Sequence, residues 1–307
     1  MFTLEPIRTW RMAGGDGTRR GVSNAALTLK NKSVTSIKAK GAVIASPVFT
    51  EDGRAFIADR AGFLQAFSPA GTLLWSRKLT AGVEASPAID EVCQTICVGT
   101  LDGHYSFFDV QYGTPIRSGS YETHDARILA DLLYTQDPEL VITSIWGKWV
   151  LFALSSTKEK PVFEWNAGWN PRTPMAALPG GPAYGIRIES DGNTKGTRLF
   201  STDLTSGKED TILFLPPGKE SPRRLTGFAS PVLSEETVYC VINGMHDSKL
   251  FAVDRDTQKQ IWSYELPCTV STTPTLTLDR CLIVAGMDGR VYSVGSDGEP
   301  RFTYSTD

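Results

Sequence analysis

Apolar and polar positions alternate along this chain in a sentence that is spelled out again and again. An apolar strand leads to a second strand rich in β-branched residues. A turn follows, then a small-aromatic-apolar strand, then a strand carrying a large aromatic. Five times the unit opens on a hydroxyl residue and a proline: Ser46-Pro47, Ser86-Pro87, Thr173-Pro174, Ser230-Pro231 and Thr273-Pro274. The clearest copies are ASPVFTEDGRAFIADRAGFLQAFSPAGTLLW, from Ala45 to Trp75, and ASPVLSEETVYCVINGMHDSKLFAVDRDTQKQIW, from Ala229 to Trp262. A period of about 40 residues holding four strands predicts β-propeller blades, small sheets that cannot bury both faces alone. The fold class is therefore all-β, with four-stranded antiparallel blades.

The turn before each third strand counts the blades. It carries Gly62, Gly103, Gly147, Gly196, Ser248 and Gly289, at intervals of 41, 44, 49, 52 and 41. Such turns favour a residue that tolerates positive φ, which glycine supplies. The proline marker skips one copy, between Pro87 and Pro174, where ARILADLL (Ala126–Leu133) keeps an apolar strand. Six units then run from about Ile44 to Tyr304. Residues 1–40 form an N-terminal arm, in which SVTSIKAK (Ser33–Lys40) alternates like an outer strand; residues 41–307 form the propeller. That strand predicts a fifth strand on the last blade or part of a seventh blade, so six blades is the expectation and seven the alternative. The fourth-strand aromatics Trp75, Trp165, Trp262 and Phe302, with Ile116 and Phe214 as weaker stand-ins, are expected to pack between neighbouring blades.

Composition narrows the function classes. The 307 residues carry a formal net charge of −3 and 41% hydrophobic residues, with no basic stripe of the kind that nucleic acid requires. No apolar run reaches the ~18 residues of a membrane span. The opening residues lack the apolar core of a secretory signal, so a cytoplasmic location is expected. The five cysteines have neither zinc spacing nor an even count, and predict reduced thiols packed as small hydrophobes. No metal site and no cofactor follow from the sequence.

The repeat residues resemble the pyrroloquinoline-quinone-type repeat family. The matching pieces are Ser86-Pro87-Ala88, Val98-Gly99-Thr100, Asp102-Gly103 and Phe107-Phe108-Asp109, with Ala252-Val253-Asp254 and Asp288-Gly289 in later copies. The opening, Trp10, Gly14-Gly15-Asp16 and Arg19-Arg20-Gly21, looks like the usual N-terminus of the family. The resemblance implies the propeller fold and says little about activity. Its quinoprotein dehydrogenases are eight-bladed and hold their cofactor with an adjacent cysteine pair, a stacking tryptophan and bound calcium. This chain is far shorter and has neither a Cys-Cys pair nor a haem-attaching CxxCH. Similar repeats also form non-catalytic scaffolds, such as the lipoprotein of the outer-membrane barrel-assembly machinery.

Candidate chemistry gathers on one face. Fourth-to-first connections and second-to-third turns emerge together, and all three histidines fall there. THDARI, SIWGKW and WNAGWNPRTP replace generic turn residues with aromatics and charges, and such departures from local consistency mark functional sites. The expected site lies above blades two to four. Its candidate acid–base groups are His124, His104 and Asp125; its candidate binding groups are Arg127, Trp146, Lys148, Trp149, Trp169 and Arg172. Two functions fit: a non-catalytic propeller that binds or scaffolds a protein or small ligand, or an enzyme without a redox cofactor (a lyase, isomerase or cyclase). In the enzyme, imidazole would act as base and arginine would grip an anionic group.

Overall fold

The structure is a computed structural model. It describes residues 11–19, 36–90, 92–121, 125–147, 150–158, 160–166, 173–191, 194–215, 229–244 and 246–306, without the side chains of residues 190–195, 214 and 215. Six antiparallel sheets are formed, each ordered first strand to fourth. Blade one comprises Val48–Phe49, Ala55–Ala58, Phe63–Phe67 and Leu73–Lys78; blade two Ala88–Asp90, Thr95–Gly99, His104–Asp109 and Pro115–Ser120. Blade three comprises Leu133–Gln136, Glu139–Trp146, Val150–Leu154 and Phe163–Asn166; blade four Ala176–Ala177, Ala183–Asp191, Thr194–Thr202 and Glu209–Leu215. Blade five comprises Val232–Leu233, Thr237–Asn243, Ser248–Asp254 and Gln260–Leu266; blade six Thr275–Leu276, Cys281–Ala285, Arg290–Gly295 and Pro300–Ser305. Second strands such as Thr95–Gly99 and Thr237–Asn243 are buried at every residue, which is why they read as continuous apolar runs. Among the described residues no helix is long and apolar enough to cross a membrane.

Three details differ from the sequence expectation. Blade three's first strand begins at Leu133; Arg127–Ile128 is a separate short strand against the far end of Glu139–Trp146. Gly196 lies inside a strand opposite Glu189, not in a turn, and the pairing of that hairpin runs out to Asp191 and Thr194. Residues 36–40 contain no strand. Lys40 instead lies against blade one, its N–H donating to Gln65 Oε1 at 3.3 Å and its ammonium 4.1 Å from the Phe63 ring centre.

The repeated residues are the joints between blades. The Ser46 N–H donates to Ser86 Oγ of the next blade at 2.9 Å, and the Ser230 N–H donates to Thr273 Oγ1 at 3.0 Å. The proline that follows holds its hydroxyl neighbour in an extended conformation. In blade three Asp131 takes the hydroxyl's place, accepting the Ser86 N–H at 2.7 Å. The acceptor survives there although the Ser-Pro pair does not.

A second joint lies further out. The Trp75 indole donates to Val110 O of blade two at 3.1 Å, Trp165 to Gly207 O of blade four at 2.8 Å, and Trp262 to Ser296 O of blade six at 2.7 Å. Each ring abuts a turn of the following blade. At Gly113, with φ +65°, a Cβ would sit 2.6 Å from the Trp75 ring; at Gly298, with φ +85°, it would sit 2.8 Å from the Trp262 ring. Between blades two and three, where the fourth strand has no tryptophan, Arg117 bonds the Ser155 carbonyl and packs over Tyr105 and Phe107.

Between blade six and blade one the fourth-strand aromatic is not covered by any of the described residues. Phe302 is 53% exposed where Trp75 is 7% exposed. Ser46 is exposed whereas Ser86 and Ser230 are buried. Among the described residues the apolar clusters run through blades one and two, two to four, four and five, and five and six, and none joins six to one. An open depression of about 500 Å³ lies over blade six, lined by Cys281, Ile283 and Phe302.

The axis is filled by the chain's own residues 11–19. Carbonyls of this segment accept from first-strand N–H groups of three blades: Arg11 O from Ile89 at 2.9 Å, Gly17 O from Ala177 at 2.7 Å and Thr18 O from Leu233 at 3.0 Å. Arg19, 2% exposed, donates to Ala13 O at 2.5 Å, Met175 O at 3.1 Å, Leu132 O at 3.0 Å and Asp131 O at 3.3 Å. Burial pulls its guanidinium down to about 10 against the opposing pull of Asp131 and Asp16, so it is charged at neutral pH. A tight reversal at Gly14 and Gly15 makes the approach: a Cβ on Gly14, at φ +78°, would lie 2.9 Å from Arg19 Cα.

Two stability predictions follow from these contacts. Trp75→Ala is expected to cost about 3–5 kcal/mol, whereas Phe302→Ala changes stability by no more than about 0.5 kcal/mol; urea unfolding of both variants checks the contrast. Arg19→Ala is expected to lose at least about 3 kcal/mol, because several buried carbonyls lose their donor. Arg19→Lys restores only a minor part, since an ammonium cannot reproduce the planar fork.

Candidate functional site

The loop face above blades two to four brings four of the nine candidate residues together. A Cβ on Gly103 would lie 2.5 Å from Ala126 Cβ, so the turn that carries His104 abuts the strand that opens at Arg127. Arg127 pairs directly with Trp146 across the short strand of blade three. Asp125 is exposed, and its carbonyl comes within 2.7 Å of the place a Cβ on Gly147 would occupy. Glycine with φ +95° is therefore required at that turn. His104, Asp125, Arg127 and Trp146 form one patch of imidazole, carboxylate, guanidinium and half-buried indole. His124, Lys148, Trp149, Trp169 and Arg172 lie outside the described residues.

His104 Nδ1 stands 3.2 Å from Asp102 Oδ1, with both side chains more than a third exposed. Asp102 also accepts from Thr100 Oγ1 at 2.5 Å and Thr80 Oγ1 at 3.1 Å. Partial burial works against its charge, yet these hydroxyls and His104 hold the carboxyl below its usual range. Sequence reasoning passed over a further pair at this face, in which Tyr121 Oη donates to Glu164 Oε1 at 2.5 Å. Burial first, then Glu164, pushes the phenol well above its ordinary value. The signal was weak: Tyr121 sits just after a fourth strand, and Glu164 reads as a routine exposed strand position.

The opposite face holds the axial cavity, about 120 Å³, lined by Arg11, Met12, Asp16, Thr18, Tyr134 and Gln136 among others. Beside it Cys93 Sγ donates to Glu139 Oε2 at 3.3 Å, while Asp90 Oδ1 accepts the N–H groups of Val92 and Cys93 at 2.9 and 3.0 Å. The bond to Glu139 is the main reason that the Cys93 thiol is pushed up to about 12. All five cysteines are unpaired.

A pyrroloquinoline quinone cofactor does not fit the described residues. The axis is packed with Arg19, Met12 and backbone, leaving no slot in which a planar ring could stack, and no redox step is assigned.

No family model matches the chain, and no curated protein sequence matches it. Its fold has solved neighbours. BamB from Moraxella catarrhalis superposes with a TM-score of 0.62 at 19% identity, covering 87% of this chain and 76% of that one. A europium-containing methanol dehydrogenase superposes with a TM-score of 0.63 at 11% identity, covering 85% and 68%.

The depressed carboxyl gives a pH signature. A carboxyl held low in the folded state adds stability above its unfolded value, near 4, which is lost as pH falls through the folded one. Asp102→Asn is therefore expected to lower the urea midpoint at pH 7, with the gap from the parent protein closing toward pH 3. Six four-stranded blades, the hydroxyl–proline and tryptophan–glycine joints and these neighbours together make the fold a β-propeller, similar to those of BamB and the methanol dehydrogenase.

Proposed function

We propose that this chain is a non-catalytic binding or scaffolding propeller, cytoplasmic, that engages a protein partner through the loop face above blades two to four. The observation that carries this reading is the filled axis. Segment 11–19 occupies the place where a propeller can house a substrate, and the axial cavity beside it, about 120 Å³, falls short of the ~300–1,000 Å³ of small-molecule sites. What the loop face offers is the exposed Arg127 beside the half-buried Trp146, residue types that protein interfaces favour. The unpaired thiols suit a reducing compartment.

One observation favours the alternative, an enzyme without a redox cofactor. The His104 imidazole has a carboxylate beside it at 3.2 Å, the arrangement that orients a general base. His124 or His104 would then act as base, with Arg127 or Arg172 holding an anionic group.

A photo-crosslinking residue in place of Arg127 separates the two. The binding reading expects it to capture one defined protein, which the same probe at Asp210 of blade four's outer strand does not capture. It also expects Arg127→Glu to weaken that complex at least tenfold. A metabolite that raises the melting temperature and is turned over, with a rate that falls about 10²–10⁴-fold in His104→Ala or His124→Ala and with no captured protein, would overturn it.

A further inference from the structure

We infer that Asp90, Cys93 and Glu139 form a binding site for a zinc-class divalent cation at the junction of blades two and three. Asp90 ends the first strand of blade two, Cys93 stands in the turn that follows, and Glu139 opens the second strand of blade three. One ligand atom from each lies within 4.8 Å of the other two. Donors bound at about 2.0–2.3 Å around a tetrahedral ion sit roughly 3.5 Å apart, so small side-chain movements bring all three onto one cation. Asp90 spends Oδ1 on two backbone N–H groups, which leaves Oδ2 as the oxygen available to a ligand.

The independent sign of a ligand is Tyr134. This side chain is 4% exposed, and its hydroxyl lies beside the Asp90 carboxylate without a partner at full hydrogen-bonding distance and angle. The charged and ionisable groups that act on it are Asp90, Glu139 and Cys93, so the hydroxyl faces the cluster from below. A buried polar atom without a partner costs roughly 1–3 kcal/mol. A water completing the coordination of a three-ligand cation would fill that place, accepting from or donating to the phenol as partner to the ligand set.

The donor chemistry selects the class. One thiolate with two carboxylates suits a borderline ion such as Zn²⁺ or Co²⁺, and is foreign to Mg²⁺ and Ca²⁺, which prefer all-oxygen shells. In the empty site the Cys93 proton is shared with Glu139 at 3.3 Å. Binding releases that proton to solvent and forms the metal–sulfur bond. The bound ion would tie blade two to blade three on the face opposite the loop patch, so it is independent of the function proposed above.

The test uses the full chain after treatment with a chelator. Titration with Zn²⁺ against a chromophoric competitor is expected to show one equivalent bound, and Co²⁺ is expected to show a thiolate-to-cobalt charge-transfer band. Cys93→Ser should abolish that band, and both Cys93→Ser and Glu139→Gln should weaken Zn²⁺ at least tenfold; both positions are exposed, so the variants keep the fold. Tyr134→Phe should weaken binding several-fold while leaving the stoichiometry at one. The assignment is overturned if the chain binds no equivalent of Zn²⁺, if Cys93→Ser binds as tightly as the parent, or if Ca²⁺ or Mg²⁺ competes at equal concentration.

Discussion

A four-stranded sheet of these residues has two apolar faces, and neither can be left to water. Everything else in the architecture follows from satisfying both at once. From blade two to blade five, each blade presents one face to the blade before it and the other to the blade after it. The hydrogen bonds at the joints fix how they meet. The pre-proline hydroxyls and Asp131 take up inner N–H groups, as at Ser46, Ser86 and Ser230. The outer indoles take up carbonyls that would otherwise be orphaned at a turn. These polar contacts are few. Their value lies in register, because a sheet packed by apolar contact alone can slide.

That same logic explains how much of the fold was legible. Ser-Pro, the turn glycines and the tryptophans recur because each is one side of a joint, so their spacing counts blades. What the spacing could not show is substitution by role. Asp131 shares no chemistry with a serine except an oxygen that accepts, and so blade three's inner strand was placed several residues early. Gly196 was mistaken for a turn because blade four's long hairpin carries its reversal further out.

The sites were legible to a smaller degree, for a reason of distance along the chain. Arg127 and Trp146 fall together because a short strand pairs them; no local pattern announces it. Cys93 meets Glu139 across 46 positions, and the sequence reading had treated that cysteine as one scattered thiol among five. Gly14-Gly15 and Arg19 were noticed as a familiar opening, but nothing local says that they end at the axis. Arg19 reaches Met175 across 156 positions. Side chains whose partners lie so far away declare their chemistry only after the blades are stacked.

The filled axis also sets an order of events during folding. Segment 11–19 precedes every blade, yet its Thr18 carbonyl waits for the N–H of Leu233 in blade five. On a growing chain, blades one to four can assemble from contacts between sequence neighbours, which form early and fast. The segment itself can close its last bond only after blade five has emerged, at a few residues per second. Arg19 can be seated earlier, since its carbonyl acceptors, Ala13, Asp131, Leu132 and Met175, all precede blade five. The earliest part of the chain is thus the last to be locked, and the central seat acts as a checkpoint that only a nearly complete array of blades can satisfy.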